Sequence, residues 1–280
     1  MKETSWPPGD RIHLAEATIA VALVAVAGLG WLLTDERMAG MDEGPGTDPG
    51  ALGFFLSVWI VMMAAMMLPS AAPMVVVHSA VQRRGRELRR HETRGASVAF
   101  VGGYLLVWTA FGIVAYALFE LARSFDVDAL SWSRGGRYVA AGVIAIAAVY
   151  QLTSLKDVCL AKCRSPLAFV VGSWRPGRVG AMWMGIEHGA WCVGCCWALM
   201  ATLFALGLMS ITWMVVIAAV IAVEKLLPWK RGANLGVALL LIVLALGVAL
   251  VPDHVPWLTI PADAEMPMDG GSTVLDGSVS

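Results

Sequence analysis

The residues best suited to chemistry in this sequence lie close together between positions 185 and 197. His188, Cys192, Cys195 and Cys196 occur at i, i+4, i+7 and i+8, so a helix would carry all four on one stripe. Membrane cysteines often serve as small apolar fillers, but three thiols and an imidazole together favour a soft metal such as Cu(I) or Zn(II). Because one straight helix cannot supply four ligands to one ion, a second segment has to contribute.

A second pair of thiols, Cys159 and Cys163, precedes this stripe. If the preceding helix continues to Pro166, the i, i+4 spacing puts both sulfurs on one face, at the cytoplasmic entrance. Lys162 and Arg164 lie beside them, and basic neighbours make a thiolate more available to a metal. The pair is predicted to capture metal, with a chance spacing as the alternative.

Four methionines form a further group of soft ligands. The i, i+4 pairs Met62/Met66 and Met63/Met67 place thioethers on adjacent faces of one apolar segment. Thioethers suit Cu(I), although methionine is also an adaptable core residue. Exchangeable copper ligands and simple core packing therefore both remain open for this group.

The composition indicates what kind of protein positions these residues. Of the 280 residues, 58% are hydrophobic and only 15% are charged, with a mean hydropathy of +0.71; soluble domains carry roughly 25% charged residues. A membrane helix needs about 20 apolar residues. We therefore expect an all-α, polytopic transmembrane helix bundle of about seven spans. The predicted spans are 12–33, 53–81, 97–121, 136–155, 179–206, 209–227 and 233–251. The fifth and sixth are barely separated, so six spans with one re-entrant piece stay open.

The basic residues predict the orientation of these spans. With Lys2 and Arg11, 16 of the 20 Lys and Arg residues fall on one side of the predicted bundle, and the positive-inside rule makes that side the cytoplasm. The N-terminus is then cytoplasmic, and seven spans put the C-terminus outside. We expect residues 1–251 to form the bundle and 252–280 to be a disordered acidic tail. The net charge of −1 gives no indication of a nucleic-acid partner.

Several of these motifs together resemble a known family. The motifs are the run from Met62 to Ser70, the segment from Cys159 to Pro166, His188-Gly189, and the block from Cys192 to Met200. Over roughly residues 50–230, the chain resembles the predicted metal-binding integral membrane proteins of bacteria, whose namesake is a copper chaperone partnered with a tyrosinase. The resemblance implies copper binding within the bacterial inner (plasma) membrane and delivery of copper to a cuproenzyme, such as a tyrosinase-like oxidase.

Three functions are compatible with these patterns. The first is a non-enzymatic Cu(I)-binding membrane protein that delivers copper to a cuproenzyme or moves it across the bilayer, with zinc as the alternative metal. The second is a membrane thiol–disulfide oxidoreductase working with a quinone. The third is an assembly subunit of a membrane complex. The sequence leaves open the direction of metal movement, the recipient and whether the protein forms a homo-oligomer.

Overall fold

The chain folds into helices throughout the part that the structure describes. The computed structural model describes residues 8–38, 50–88, 95–124, 132–208, 210–226 and 230–259. A π-helical turn (Trp132–Gly136) precedes the fourth α-helix, and a 3-10 turn (Pro252–His254) follows the ninth. The α-helices are α1 (Pro8–Met38), α2 (Leu52–Leu88), α3 (Ala96–Ser124), α4 (Arg137–Gln151), α5 (Ser154–Arg164), α6 (Pro166–Gly172), α7 (Gly177–Leu206), α8 (Ile211–Leu226) and α9 (Lys230–Leu250). The all-α prediction is confirmed for these residues.

Five helices are long and apolar enough to cross a membrane. They lie in α1, α2, α3, α7 and α9, and α4 with α5 would make a sixth span if a bend of 68° between them is included. Helix α8 has 16 residues, about 24 Å at 1.5 Å per residue, which is short for a hydrocarbon core of about 30 Å. The described residues therefore contain five candidate spans, or six with the bent pair. The predicted number of seven is not confirmed.

The condition stated for Cys159 and Cys163, a preceding helix that continues to Pro166, is not met, because a break separates α4 from the helix that carries both cysteines. Helix α4 ends at Gln151, and Thr153 adopts an extended conformation with φ −81° and ψ 145°. The Thr153 side chain accepts a hydrogen bond from the backbone N–H of Lys156, which is how a threonine begins a new helix. Both cysteines consequently lie on α5, a separate helix that is strongly bent away from α4.

Helices α3 and α7 form the most extensive helix pair, and small residues allow their backbones to approach. A Cβ atom at Gly185 would overlap the carbonyl of Phe100, and one at Gly103 would overlap the carbonyl of Met182. At Gly189 a Cβ would lie 3.1 Å from the carbonyl oxygen of Tyr104. Since successive positions of α3 meet successive positions of α7, the two helices run parallel. Their contact fixes the position of α7 along the bundle axis.

Several helix ends meet halfway along α7. The Tyr150 hydroxyl, at the end of α4, donates to the carbonyl of Gly194 at 2.5 Å. Lys225, in the last turn of α8, contacts the sulfur of Cys192. Both α7 residues lie near the middle of a 30-residue helix. The ends of α4 and α8 therefore lie level with the middle of α7, and broken helices at such a depth are tolerated where protein surrounds them.

Two sequence-based expectations fall partly outside the described residues. Of the predicted disordered tail 252–280, residues 260–280 lie outside them. So do positions 89–94 of the arginine-rich connection that follows α2, on which part of the predicted orientation rests. The orientation accordingly remains a prediction.

Candidate metal centre

Three buried thiols converge on one face of α7. Cys192, Cys195 and Cys196 occupy helical positions that share a face, and their sulfur atoms all lie within 4.8 Å of one another. The Cys195 and Cys196 sulfurs are 3.3 Å apart, and none of the three residues is more than 1% exposed. Three sulfurs bound to one ion through bonds of about 2.3 Å stand about 4 Å apart. Small side-chain shifts therefore suffice for this group, called the thiol cluster below, to hold one soft ion.

A second segment brings a fourth thiol to the thiol cluster. The sulfur of Cys163, on α5, lies 3.8 Å from that of Cys195. Cys159, one turn earlier on α5, is buried against the backbone of α7, where a Cβ added at Gly194 would lie 2.8 Å from its sulfur. The structure thus places the two predicted capture residues beside the middle of α7, with Cys163 directly at the cluster. All five cysteines are free thiols.

His188 lies on the same stripe but faces a different environment from the cysteines. The group of ligand atoms within 4.8 Å of one another, among the described residues, does not include it. Its ring lies against the rings of Tyr104, Phe169 and Phe100, with centroid separations of 5.6, 5.4 and 6.0 Å. One of these rings, Tyr104, also contacts the Cys192 sulfur through its hydroxyl. Its Nδ1 atom is buried and has no hydrogen-bond partner among the described residues.

A buried lysine completes the surroundings of Cys192. The Lys225 ammonium donates to the Cys192 sulfur at 3.1 Å and to the Ser70 hydroxyl at 3.0 Å. The Tyr104 hydroxyl lies 3.0 Å from the same sulfur. Hydrogen bonds between ionised partners are the strong ones, so an ammonium at this position favours the thiolate form that binds metal. An ionisable residue within a membrane helix is a functional candidate by default, and that signal was available in the sequence.

Glu187 takes a different partner from those that the sequence suggested. From the sequence alone, it could have ligated metal, relayed protons, or paired with Lys225 or an arginine. Its carboxylate instead accepts a hydrogen bond of 2.9 Å from Ser173, in the connection between α6 and α7. Lys225 is directed at sulfur and not at this carboxylate. Glu187 therefore ties the start of α7 to the preceding segment, at a distance from the thiol cluster.

The methionine group is buried in the bundle on α2. Met62, Met63, Met66 and Met67 are each at most 3% exposed. Met66 and Met67 precede Ser70 by four and three residues, so they share its helix face, and Ser70 reaches the thiol cluster through Lys225. The Ser70 face of α2 is thus directed toward Cys192. Met66 and Met67 therefore lie on the face of α2 that is directed toward the thiol cluster.

A buried ion pair holds the helix ends together beside the thiol cluster. The Lys156 ammonium lies 2.7 Å from the Glu224 carboxylate, and both side chains are only 1% exposed. Lys156 also donates to Gln151, and the Arg164 guanidinium donates to the backbone carbonyl of Glu224. Cations are favourable near the C-terminus of a helix, where carbonyl groups lack intrahelical partners. Glu224 therefore holds α5, whereas Lys225 contacts the sulfur of Cys192.

The chain matches a protein-family model. The model described as "PpoB2: Copper chaperone" matches residues 56–248, which include the thiol cluster, Cys159, Cys163, His188 and the methionine group. No curated protein matches the chain. No solved structure matches it either.

Proposed function

The chain belongs to the PpoB2 copper chaperone family, and on that premise we propose that it binds Cu(I) inside a membrane-embedded helix bundle. The bound ion is cargo, which the protein delivers to a cuproenzyme or moves across the membrane. The observation that carries the proposal is the thiol cluster: three buried sulfurs from one face of α7 within 4.8 Å of one another. The contact of Cys163 with Cys195 supports a ligand from a second helix.

The residues divide the task according to their positions. Cys192, Cys195 and Cys196 hold the ion, and Cys163 adds a sulfur from α5. Cys159 and the thioethers of α2 serve as exchange ligands next to this group. Lys225 holds Cys192 in the form that binds metal and offsets the negative charge of several thiolates around a monovalent ion.

Copper fits this donor set better than zinc. Thiolate ligands suit both Cu(I) and Zn(II), and among the described residues the group that converges on α7 offers sulfur donors only, so the number of ligands decides between the two metals. Structural zinc sites need four ligands in a tetrahedron. Here the fourth sulfur belongs to a short, separate helix and adjoins only part of the cluster.

The proposed setting is the bacterial plasma membrane. The charge asymmetry of the sequence supports an N-terminus in the cytoplasm, and a seven-span arrangement with α8 as a short span would put the C-terminus outside. A copper-dependent oxidase of the tyrosinase type is the proposed recipient, in keeping with the family description as a copper chaperone.

Metal content of the purified protein tests the proposal. The full chain is purified anaerobically in detergent, and copper and zinc are measured for wild type and for the variant Cys192→Ser/Cys195→Ser/Cys196→Ser. We expect about one copper per chain in wild type and none in the triple variant, because the cluster holds a single ion. Thr202→Ala is the control: it removes a buried hydroxyl of α7 that donates to the Leu199 carbonyl and should leave the copper content unchanged. Circular dichroism verifies that all variants remain helical.

Two other outcomes would change the conclusion. Zinc in place of copper would retain the site and contradict the copper function. If neither metal binds and the thiols cycle between oxidised and reduced forms with a quinone, the protein is a thiol–disulfide oxidoreductase. The separation of 3.3 Å between the Cys195 and Cys196 sulfurs is the observation that makes this second function worth testing.

A further inference from the structure

A buried histidine on α2 has no assigned task and no polar partner. His78 is 0% exposed, and neither of its ring nitrogens has a hydrogen-bond partner among the described residues. Gln82, one turn later on the same face, is 7% exposed and also has an unpartnered nitrogen, Nε2. Buried polar groups in folded proteins almost always have partners, and those that do not call for an explanation such as an ion. The Gln82 nitrogen is an amide donor and does not bind cations, whereas a neutral imidazole has one nitrogen that can bind a metal ion, so the observation that points to a metal ion is His78.

The His78 ring belongs to a continuous row of ring contacts that ends at the thiol cluster. Trp174, in the connection between α6 and α7, is 37% exposed, and its ring centroid lies 5.8 Å from that of His78. His78 in turn lies 5.0 Å from Phe100. Phe100 lies 6.0 Å from His188, and His188 lies 5.6 Å from Tyr104. The Tyr104 hydroxyl is 3.0 Å from the Cys192 sulfur, so the row joins a partly exposed tryptophan to the buried sulfurs.

We propose that His78 and His188 form a transfer route for Cu(I) between the α6–α7 connection and the thiol cluster. This inference rests on the proposed copper function and adds His78 as a ligand. An ion moving toward the thiol cluster binds an imidazole nitrogen of His78 first and His188 next, and an ion leaving the cluster binds them in the reverse order. His78 and His188 lie on different helices, and both contact the ring of Phe100. A single aromatic ring therefore separates the two imidazoles.

The chemistry of the two side chains suits transfer better than storage. A metal-binding imidazole is neutral, so it can take up and release an ion without losing a proton, whereas a thiol must lose one to bind. Imidazole is accepted by copper, but thiolates select Cu(I) more strongly. Aromatic faces beside the route also attract cations. An ion at His78 would therefore pass readily to the thiol cluster, where three sulfurs hold it.

Transfer kinetics provide the first test. Full-length protein in detergent is loaded anaerobically with Cu(I), and the transfer of copper to and from a coloured Cu(I) chelator is followed by stopped-flow absorbance. We expect His78→Phe, which keeps an aromatic ring between Trp174 and Phe100, to bind the same amount of copper with unchanged affinity. Its rate of copper exchange should fall by about tenfold, the lower range for removing a supporting group at a metal site. Ser79→Ala, a buried polar neighbour on α2 outside the row of rings, should exchange copper at the wild-type rate.

X-ray absorption provides the second test and does not depend on kinetics. In the background Cys192→Ser/Cys195→Ser/Cys196→Ser, added Cu(I) should bind weakly with nitrogen donors. This signal should weaken on adding His78→Phe and disappear on adding His188→Phe as well. Unchanged exchange rates in His78→Phe, or the absence of nitrogen donors, would overturn the transfer route. The chaperone function would still be supported in that case if the wild-type protein binds copper. If wild type itself binds no copper, the proposed function fails and the transfer route fails with it.

Discussion

At the scale of single residues, the sulfur of Cys192 has the most complex environment in the thiol cluster. It adjoins the Lys225 ammonium and the Tyr104 hydroxyl, while neighbouring cysteines adjoin chiefly other sulfurs. Among the described residues, the other hydrogen bond that Lys225 donates goes to the neutral hydroxyl of Ser70. The charge of Lys225 is therefore directed at a sulfur of the thiol cluster.

We predict that Lys225→Met weakens copper binding without unfolding the protein. Methionine fills a similar volume, but the positive charge next to the Cys192 sulfur is lost. We expect the affinity for Cu(I) to fall by about 10- to 100-fold, as when other groups that support metal ligands are removed. Competition with a Cu(I) chelator of known affinity measures the change.

Lys162→Met is the matched control for this prediction. It removes an equal charge from α5, where the ammonium is exposed and lies 5.9 Å from the ring centroid of Trp191. We expect wild-type affinity in this variant. An equal loss of affinity in both variants would mean that overall charge, and not the contact with Cys192, governs binding.

The sequence was informative about which residues matter and less so about how they are arranged. The helical spacing was sufficient to predict that Cys192, Cys195 and Cys196 share a face. That His188 faces aromatic rings depends on α3 and α6, which lie far from it in sequence. The approach of Lys225 to Cys192 likewise depends on α8 ending level with the middle of α7. No local sequence pattern encodes where along the bundle axis a helix ends.

At the scale of helices, the buried pair of Lys156 and Glu224 joins α5 to α8. We predict that Glu224→Gln destabilises the protein by about 3–5 kcal/mol, because the change leaves the Lys156 charge buried without its partner. The double variant Lys156→Met/Glu224→Leu should recover much of this loss. Reversible unfolding in mixed detergent, followed by circular dichroism, measures both changes.

An exposed ion pair provides the control for this prediction. Arg123 and Glu120 form a pair at 3.4 Å whose side chains are 45% and 43% exposed, and such pairs contribute about 1 kcal/mol or less. Glu120→Gln should therefore leave stability nearly unchanged. A similar cost for Glu120→Gln and Glu224→Gln would contradict the importance of burial at the α5–α8 contact.

The glycines between α3 and α7 lead to a second prediction at the scale of helices, which concerns stability. Gly185→Ala would place a methyl group against the Phe100 carbonyl, so we expect a loss of at least about 1–3 kcal/mol, typical of overpacking. Gly102→Ala is the control, since a Cβ at that position meets no atom within 4 Å. Thermal stability by size-exclusion chromatography distinguishes them. Equal behaviour of the two variants would show that α7 is not held against α3 as described.

The long helices were the most predictable elements and the break after α4 was the least. Apolar runs specify α3 and α7 nearly to their ends, whereas α2 continues to Leu88, past the end predicted at position 81. The break at Leu152 and Thr153 contains neither proline nor glycine, so no strong signal marks it. It becomes understandable only from the structure, where Thr153 caps α5 and Lys156 is bound by Glu224.

At the scale of the whole molecule, the orientation in the membrane is a separate prediction. The distribution of Lys and Arg predicts a cytoplasmic arginine-rich connection after α2 and an external C-terminus. Alkaline phosphatase, which is active only outside the cytoplasm, should be inactive when fused at residue 92 and active when fused after residue 280. Activity at neither position would indicate an even number of spans, consistent with α8 not crossing the membrane.

The way in which α5 is attached has a consequence for the number of sulfur ligands that the proposed site offers to a metal ion. Three of the sulfurs belong to a helix that cannot shift, because glycines fit its backbone closely to α3. The fourth, on Cys163, belongs to an 11-residue helix with a break at each end. Displacing α5 would remove the Cys163 sulfur from the proposed site and leave the three sulfurs of α7 in place. The contacts that resist this displacement are those of Lys156 and Arg164 with Glu224. An ion pair that touches no sulfur would thus govern whether the proposed site offers three sulfurs or four.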